Sequence, residues 1–361
     1  RTAVGPAHQV RYLMPGDRSR IFYDLARKAQ FATDPETAHE HTHESHKLGH
    51  RLGATRRLCK EKHQTVESMG LTFPNPVGVA PGLDKNGDYF EALGDLGFGF
   101  VEIGTITPRP QPGNPKPRVF RLTKAQAMIN RLGFNNKGVD HLVHRVRNHR
   151  FRGILGINIG KNFDTPNERA AEDYLHCLEK VYPYADYVTV NISSPNTKNL
   201  RDLQSEDALD QLLGALAQRR EELADRHDRL APMALKVAPD LEEGAVTAIA
   251  DVVSRHGMDA VIATNTTISR EEVAGMEHAE ETGGLSGAPL KEKADRVLGE
   301  LREALPADIA LIGVGGITCG QDAVDKLEKG AELVQFYTGM VYRGPELVSE
   351  CLEAIAEYRA R

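Results

Sequence analysis

From Met69 onward, short apolar runs rich in Val and Ile recur, each closing on Gly, Asn, Ser or Thr. Eight are legible, at 76–80, 99–103, 154–159, 187–192, 233–237, 260–263, 310–314 and 333–337. Between most of them lie stretches of helical periodicity, at 89–96, 170–182, 208–226, 244–256, 291–305 and 321–329. Near-continuous apolar strands alternating with helices predict a parallel sheet covered on its outer side. Eight such units in roughly 270 residues predict an α/β chain folded as a (β/α)8 TIM barrel. A doubly wound open sheet is the competing architecture, but the Gly-rich fingerprint after a first strand is missing.

Two segments break the alternation. Residues 107–118 (TPRPQPGNPKPR) are too Pro-dense for helix or central strand and predict an extended loop. Residues 119–134 then read as a small hairpin. Both follow the second strand, which places them over the barrel mouth.

Before the barrel the pattern changes. In 20–31, Ile21, Phe22, Leu25, Ala26 and Ala29 share one helical face. Asp34-Pro35-Glu36 predicts a second helix, with Asp34 as N-cap and Pro35 in the first turn. Its continuation, 39–57, is polar and carries His39, His41, His43, His46 and His50. A metal cluster competes there with a solvated helix face, and sparse apolar residues favour the latter. The division is therefore a leader at 1–19, a helical unit at 20–66 and a barrel at 67–361.

Charge sharpens this division. Residues 1–63 hold 12 Lys/Arg and 7 Asp/Glu, a net of +5, and the remainder holds 33 and 44, a net of −11. The overall −6 argues against a general nucleic-acid binder. With 40% hydrophobic residues the chain can build a core, so a disordered tail is excluded. The four cysteines are scattered and form no C-x-x-C pair, which excludes a disulfide scaffold and leaves a Cys-rich zinc site unsupported.

In such barrels the chemistry gathers at the C-terminal strand ends. There the sequence places five amides, Asn130, Asn158, Asn191, Asn196 and Asn265. A primary amide offers two donors and an acceptor, which suits a planar ring of alternating N–H and C=O groups. A single Asn there is an ordinary turn residue, but five converging favour ring recognition. Gly313-Val314-Gly315-Gly316 after strand seven and Tyr337-Thr338-Gly339 after strand eight let backbone N–H groups approach a phosphate. Lys236 interrupts an apolar strand (ALKVA), and a buried ammonium needs an anion. That anion is either a barrel carboxylate such as Glu102 or a cofactor that becomes anionic on reduction. Lys85 is either a solvated loop end or a holder of a substrate carboxylate. No carboxylate dyad and no Ser-His-Asp order is present, which disfavours glycosidases and hydrolases.

Taken together, DPETAHE, APGLDKNG, VEIGTITPRPQPGNPKPR, NRLGFNN, GINIGKN, NISSPNT, KVAPD, ATNTT, TGGLSG and IGVGGI strongly resemble class 2, quinone-linked dihydroorotate dehydrogenases. The resemblance runs from about Ile21 to the C-terminus. These are FMN flavoproteins that oxidise (S)-dihydroorotate to orotate in pyrimidine (UMP) biosynthesis and pass the electrons to a membrane quinone. The resemblance implies a flavin site of Pro81, Gly82, Leu83, Asp84, Lys85, Thr105, Asn158, Asn191, Lys236, Thr264, Gly287, Gly316, Tyr337 and Thr338. It implies a substrate site of Lys85, Asn130, Arg131, Leu132, Gly133, Phe134, Asn191, Asn196, Asn265 and Thr266.

The resemblance also makes Ser194 the catalytic base, where class 1 relatives carry Cys. It implies that Ser194 takes the C5 proton, with a relay through Thr197 or water, while hydride passes from C6 to flavin N5. Lys236 then offsets negative charge on the reduced flavin. The N-terminal helices become a quinone entrance on a membrane, so the chain is expected as a monomer, peripheral on the cytoplasmic side. The polar, His-rich second helix departs from the apolar lining such an entrance calls for. An FMN barrel acting on a related pyrimidine with a soluble acceptor, fumarate or NAD, is the alternative.

Overall fold

The computed structural model describes residues 31–51 and 64–361. The leader, and the first helix expected at 20–31 except its last residue, lie outside the described residues.

Thirteen strands are present among the described residues. They are β1 (Val66–Ser68), β2 (Leu71–Phe73), β3 (Val77–Val79), β4 (Phe100–Ile106), β5 (Val119–Leu122), β6 (Ala127–Asn130) and β7 (Ile154–Ile159). They continue as β8 (Tyr187–Asn191), β9 (Met233–Val237), β10 (Ala260–Ala263), β11 (Gly284–Gly287), β12 (Ala310–Val314) and β13 (Leu333–Phe336). The eight expected barrel strands pair in parallel and close in the order β10-β12-β13-β3-β4-β7-β8-β9. This is a TIM barrel with helices between the strands.

Strand side chains alternate between two cores. Outward residues such as Val101, Ile157, Val190 and Leu235 pack under the helices. Inward residues Phe100, Tyr187, Ala234, Ile262 and Ile312 fill the barrel. Large faces small there: a Cβ on Gly156 would stand 2.2 Å from the Tyr187 ring. The β1–β2 hairpin covers the strand N-termini, with Phe73 edge-on to Phe100 at 5.3 Å.

The hairpin expected at 119–134 is β5–β6, but it has a third, unexpected strand. β11 pairs with β6 in an antiparallel sheet ordered β11-β6-β5. β11 reads GLSG, which carries neither alternation nor β propensity. Its pairing is fixed by a partner more than 150 residues away. The helices Val139–Val146 and Glu346–Arg359 also went unread in the sequence.

The helix Pro35–Arg51 starts where expected, with the Thr37 N–H donating to Asp34 Oδ1 at 3.0 Å. It docks through Glu36 on Arg118 (2.9 Å), Glu44 on the Tyr89 hydroxyl (2.8 Å) and His50 on Asp95 (2.6 Å). Among the described residues no group of three or more His, Cys, Asp or Glu is placed to hold a metal. None of the described helices is long and apolar enough to cross a membrane.

Candidate active site

A cleft of about 1120 Å³, partly open to solvent, sits at the C-terminal mouth of the barrel. Seven of the eight barrel strand ends, the hairpin and β11 line it. Strands place polar residues here because each apolar run ends where the barrel core ends, so the next side chain meets the cleft.

Ser194 stands just past β8 and is 6% exposed. Its Oγ accepts the Asn196 N–H at 3.3 Å, and among the described residues no protein acceptor takes its own proton. Thr197 Oγ1 is buried without a hydrogen-bond partner, and the two hydroxyls share no direct bond.

The amides interlock in pairs. Asn196 Nδ2 donates to Asn130 Oδ1 at 3.2 Å. Asn265 Nδ2 donates to Ser193 Oγ at 3.0 Å, and that hydroxyl donates to Asn191 Oδ1 at 3.1 Å. Asn191 Nδ2 donates in turn to Thr105 Oγ1 at 2.9 Å. Asn196 Oδ1 and Thr266 Oγ1 remain buried and unpartnered at the cleft wall. Buried polar atoms without partners are rare in native proteins, so these two mark where a polar ligand completes the network.

The two lysines differ. Lys236 is 5% exposed and has no carboxylate partner among the described residues. Burial pushes its ammonium below the ordinary lysine range, and the Glu102 charge opposes that shift. The ion pair with Glu102 is not formed. Glu102 instead accepts Asn158 Nδ2 (2.8 Å), the Tyr187 hydroxyl (2.9 Å) and Gln335 Nε2 (2.7 Å) inside the barrel. Lys236 is thus a buried ammonium on the cleft wall that forms no ion pair among the described residues. Lys85 is half-buried, donates to the Gly82 carbonyl at 2.8 Å, and burial lowers its pKa to about 8.

At the far side, Gly315 and Gly316 have φ of +107° and +82°, a region L side chains rarely adopt. A Cβ on Gly316 would lie 2.3 Å from Lys291 Cα. Neither glycine amide donates to a protein acceptor among the described residues. Ser286 of β11 and Thr338 share a hydroxyl hydrogen bond of 2.8 Å beside them.

Most residues singled out from sequence line this one cleft: Pro81, Gly82, Lys85, Thr105, Asn130, Leu132, Gly133, Phe134, Asn191, Ser194, Asn196, Lys236, Thr264, Asn265, Thr266, Gly287, Gly316, Tyr337 and Thr338. Four do not. Leu83 faces a second cavity. Asp84 is buried beneath the loop, where its carboxylate accepts the amides of Asn86, Asp88 and Tyr89. Arg131 turns outward to Glu281 at 2.7 Å. Asn158 points down to Glu102 and reaches the cleft only through Thr105 and Asn191. The cleft also includes Val119, Met128 and Ser286, which sequence reasoning missed. The hairpin pattern held no sign of which face turns toward the mouth.

The second cavity, about 950 Å³, lies between the helix Pro35–Arg51 and the hairpin. Ala38, His39, Thr42 and His46 form its helical wall, and Leu83, Leu93, Val119, Met128 and Met340 face them. Lys85, Val119, Met128, Leu132 and Tyr337 line both cavities.

Comparison with known proteins gives a consistent answer. The family described as dihydroorotate dehydrogenase matches residues 64–358. A dihydroorotate dehydrogenase (quinone) of Azotobacter vinelandii is 58% identical over 338 residues, 93% of this chain and 97% of its own. One from Thiobacillus denitrificans is 56% identical, covering 93% and 100%. The crystal structure of DHODH from Eimeria tenella in complex with ferulenol superposes with a TM-score of 0.81 at 38% identity, covering 90% of this chain and 91% of that one. The chain belongs to the dihydroorotate dehydrogenase family.

Proposed function

We propose that the protein oxidises (S)-dihydroorotate to orotate in UMP biosynthesis, with FMN as prosthetic group and a quinone as final electron acceptor. The observation that carries this is one cleft holding Ser194, interlocked asparagines, Lys85 and the unpaired Lys236, in a chain so close to quinone-dependent relatives.

The residues present fit FMN. The unmatched Lys236 ammonium suits an anionic ring edge, and the two free glycine amides suit a phosphate. When bound, FMN supplies the acceptor for the hydride leaving C6 of the substrate. Lys236 then stabilises the negative charge that reduction brings, as a preorganised cation in a dry site. Gly287, Gly316, Tyr337 and Thr338 hold the phosphate end.

Ser194 Oγ takes the proton from C5. A serine hydroxyl is a weak base at its ordinary pKa, so the proton must be passed on. Since Ser194 and Thr197 share no direct bond, a relay between them needs intervening water. Asn130, Asn191, Asn196 and Asn265 hold the ring's N–H and C=O groups, with Thr266 beside them, and Lys85 holds the carboxylate.

The second cavity is the quinone entrance in this reading. Its apolar barrel side meets the flavin cleft at five shared residues, so a quinone held there would lie next to bound FMN. The polar helix serves because Ala38 and Thr42 face inward beside the histidines, while the apolar surface comes from the barrel side. The +5 of residues 1–63 favours peripheral attachment to an anionic membrane surface on the cytoplasmic side. In this reading the protein works as a monomer.

The test is anaerobic addition of dihydroorotate to the yellow protein, then of a quinone, fumarate or NAD. Bleaching followed by recovery with quinone alone is expected. Recovery with fumarate or NAD alone rejects the quinone reading, and an unbleached flavin rejects the substrate. Co-sedimentation with anionic vesicles, lost at high salt, checks the membrane surface.

A further inference from the structure

One guanidinium ties the Ser194 loop down from behind. Arg201 Nε donates to the Ser193 carbonyl at 3.0 Å. Its terminal nitrogens donate to Asp240 Oδ2 at 2.9 Å and to the Thr266 carbonyl at 2.8 Å. The loops after β8, β9 and β10 therefore meet on a single side chain. Asp240 closes the junction from the other side, accepting the Thr267 hydroxyl and, at 2.9 Å, the Ile268 N–H. Both side chains are largely buried, and neither lines the cleft.

The chemistry of the group gives this arrangement its consequence. A guanidinium is planar, and its N–H directions are fixed, so three acceptors bound to it are fixed relative to one another. Here the acceptors are the residue before Ser194, the residue after Asn265, and the carboxylate that anchors both. The fork thus sets the spacing between the loop carrying the base and the loop carrying the ring-binding amide. Asn265 reinforces the same spacing by donating to Ser193 Oγ at 3.0 Å.

We propose that Arg201, held by Asp240, is a positioning residue for proton abstraction, fixing Ser194 over the substrate carbon. This rests on the dihydroorotate oxidation proposed above. Proton transfer tolerates little displacement, and a shift of about 1 Å costs on the order of 100-fold in rate. The reaction with quinone does not use Ser194, so Arg201 acts on one half-reaction only.

The test is anaerobic stopped-flow reduction of the FMN-loaded protein by dihydroorotate in Arg201→Met, Arg201→Lys and Asp240→Asn. Arg201→Met should slow flavin reduction about 100-fold. Arg201→Lys should restore little, since an ammonium cannot serve three fixed directions. Asp240→Asn should fall between wild type and Arg201→Met, and it carries the test if Arg201→Met does not fold. FMN content and the rate of reoxidation by quinone should stay at wild-type values. Deuteration at C5 should slow Arg201→Met more than wild type, because proton abstraction becomes limiting.

A merely structural role would slow both half-reactions together and lower FMN content, and that result overturns the proposal. So does reduction at the wild-type rate in a folded variant. If dihydroorotate bleaches the wild type and Arg201→Met equally fast, only this inference falls. If it fails to bleach the wild type, the substrate reading falls and takes this inference with it.

Discussion

The two cavities are built in opposite ways. At the barrel mouth, side chains from the ends of β4, β8 and β10 and from the hairpin are locked to one another by hydrogen bonds before any ligand arrives. The second cavity is mostly apolar on its barrel side, and its polar helical side is fastened by Glu36, Glu44 and His50. Networks of satisfied polar groups are rigid and specify one arrangement, whereas apolar contact adapts to shape. The contrast matches the proposed tasks. Removing a carbon-bound proton demands fixed geometry, while admitting a lipid-soluble acceptor demands an oily passage.

The sharpest way to break this contrast is Ser194→Ala. General-base catalysis contributes about 10²–10⁴-fold, so flavin reduction by dihydroorotate should fall by that range. Reoxidation by quinone should be unaffected, and single-turnover stopped flow separates the two. Equal losses in both would mean that the cavities do not divide the work.

Next in size is Glu36→Gln. Arg118 is nearly buried and leans on Glu36 through Nε and a terminal nitrogen. Removing one partner of a buried pair costs about 3 kcal/mol. Hydrogen exchange across 35–51 should accelerate, and the KM for quinone should rise well beyond that for dihydroorotate. Arg118 also holds the Pro112 and Asn114 carbonyls, and Asn114 reaches Asn196, so a small effect on dihydroorotate is expected too.

Lys85 touches both cavities, and its charge gives a pH test. Its pKa in the free protein is about 8, lowered by burial from the ordinary 10.5. The substrate carboxylate binds the ammonium form. Affinity is therefore full below pH 8 and lost as pH rises through it, by about tenfold per unit. The KM for dihydroorotate should climb accordingly while the KM for quinone stays level. Lys85→Met should have a high, flat KM for dihydroorotate.

How much of this was legible in the sequence follows the same divide. The barrel strands are readable because both of their faces are buried, so Val and Ile run without interruption. The mouth residues are readable because polar residues end those runs. Asn158 shows the limit: it sits at a strand end like Asn191, yet points inward to Glu102. Its direction depends on the barrel pleat, which composition does not reveal. β11 was invisible because its order comes from β6 rather than from GLSG itself. Arg201 carries no sequence signal of its position, since its three acceptors come from three separate loops. The second cavity was hardest, because a polar helix supplies one wall and a distant hairpin the other.

The smallest expected effect tests the helix at its far end. His50 Nδ1 lies 2.6 Å from Asp95 Oδ2, on side chains about one-fifth exposed. The two groups join the last turn of Pro35–Arg51 to the turn after the helix Phe90–Gly94. A partly exposed pair of this kind contributes at most about 1 kcal/mol. His50→Ala should therefore raise the KM for quinone no more than about fivefold. Glu36 and Glu44 still fasten the helix, so its first turns should keep their protection in hydrogen exchange while the last turn loses its own. Dihydroorotate should reduce the flavin at the wild-type rate, because no hydrogen bond of the mouth network passes through His50. If His50→Ala slows that step as much as it weakens quinone use, the helix and the mouth form one cooperative unit, and the division of labour between the cavities fails.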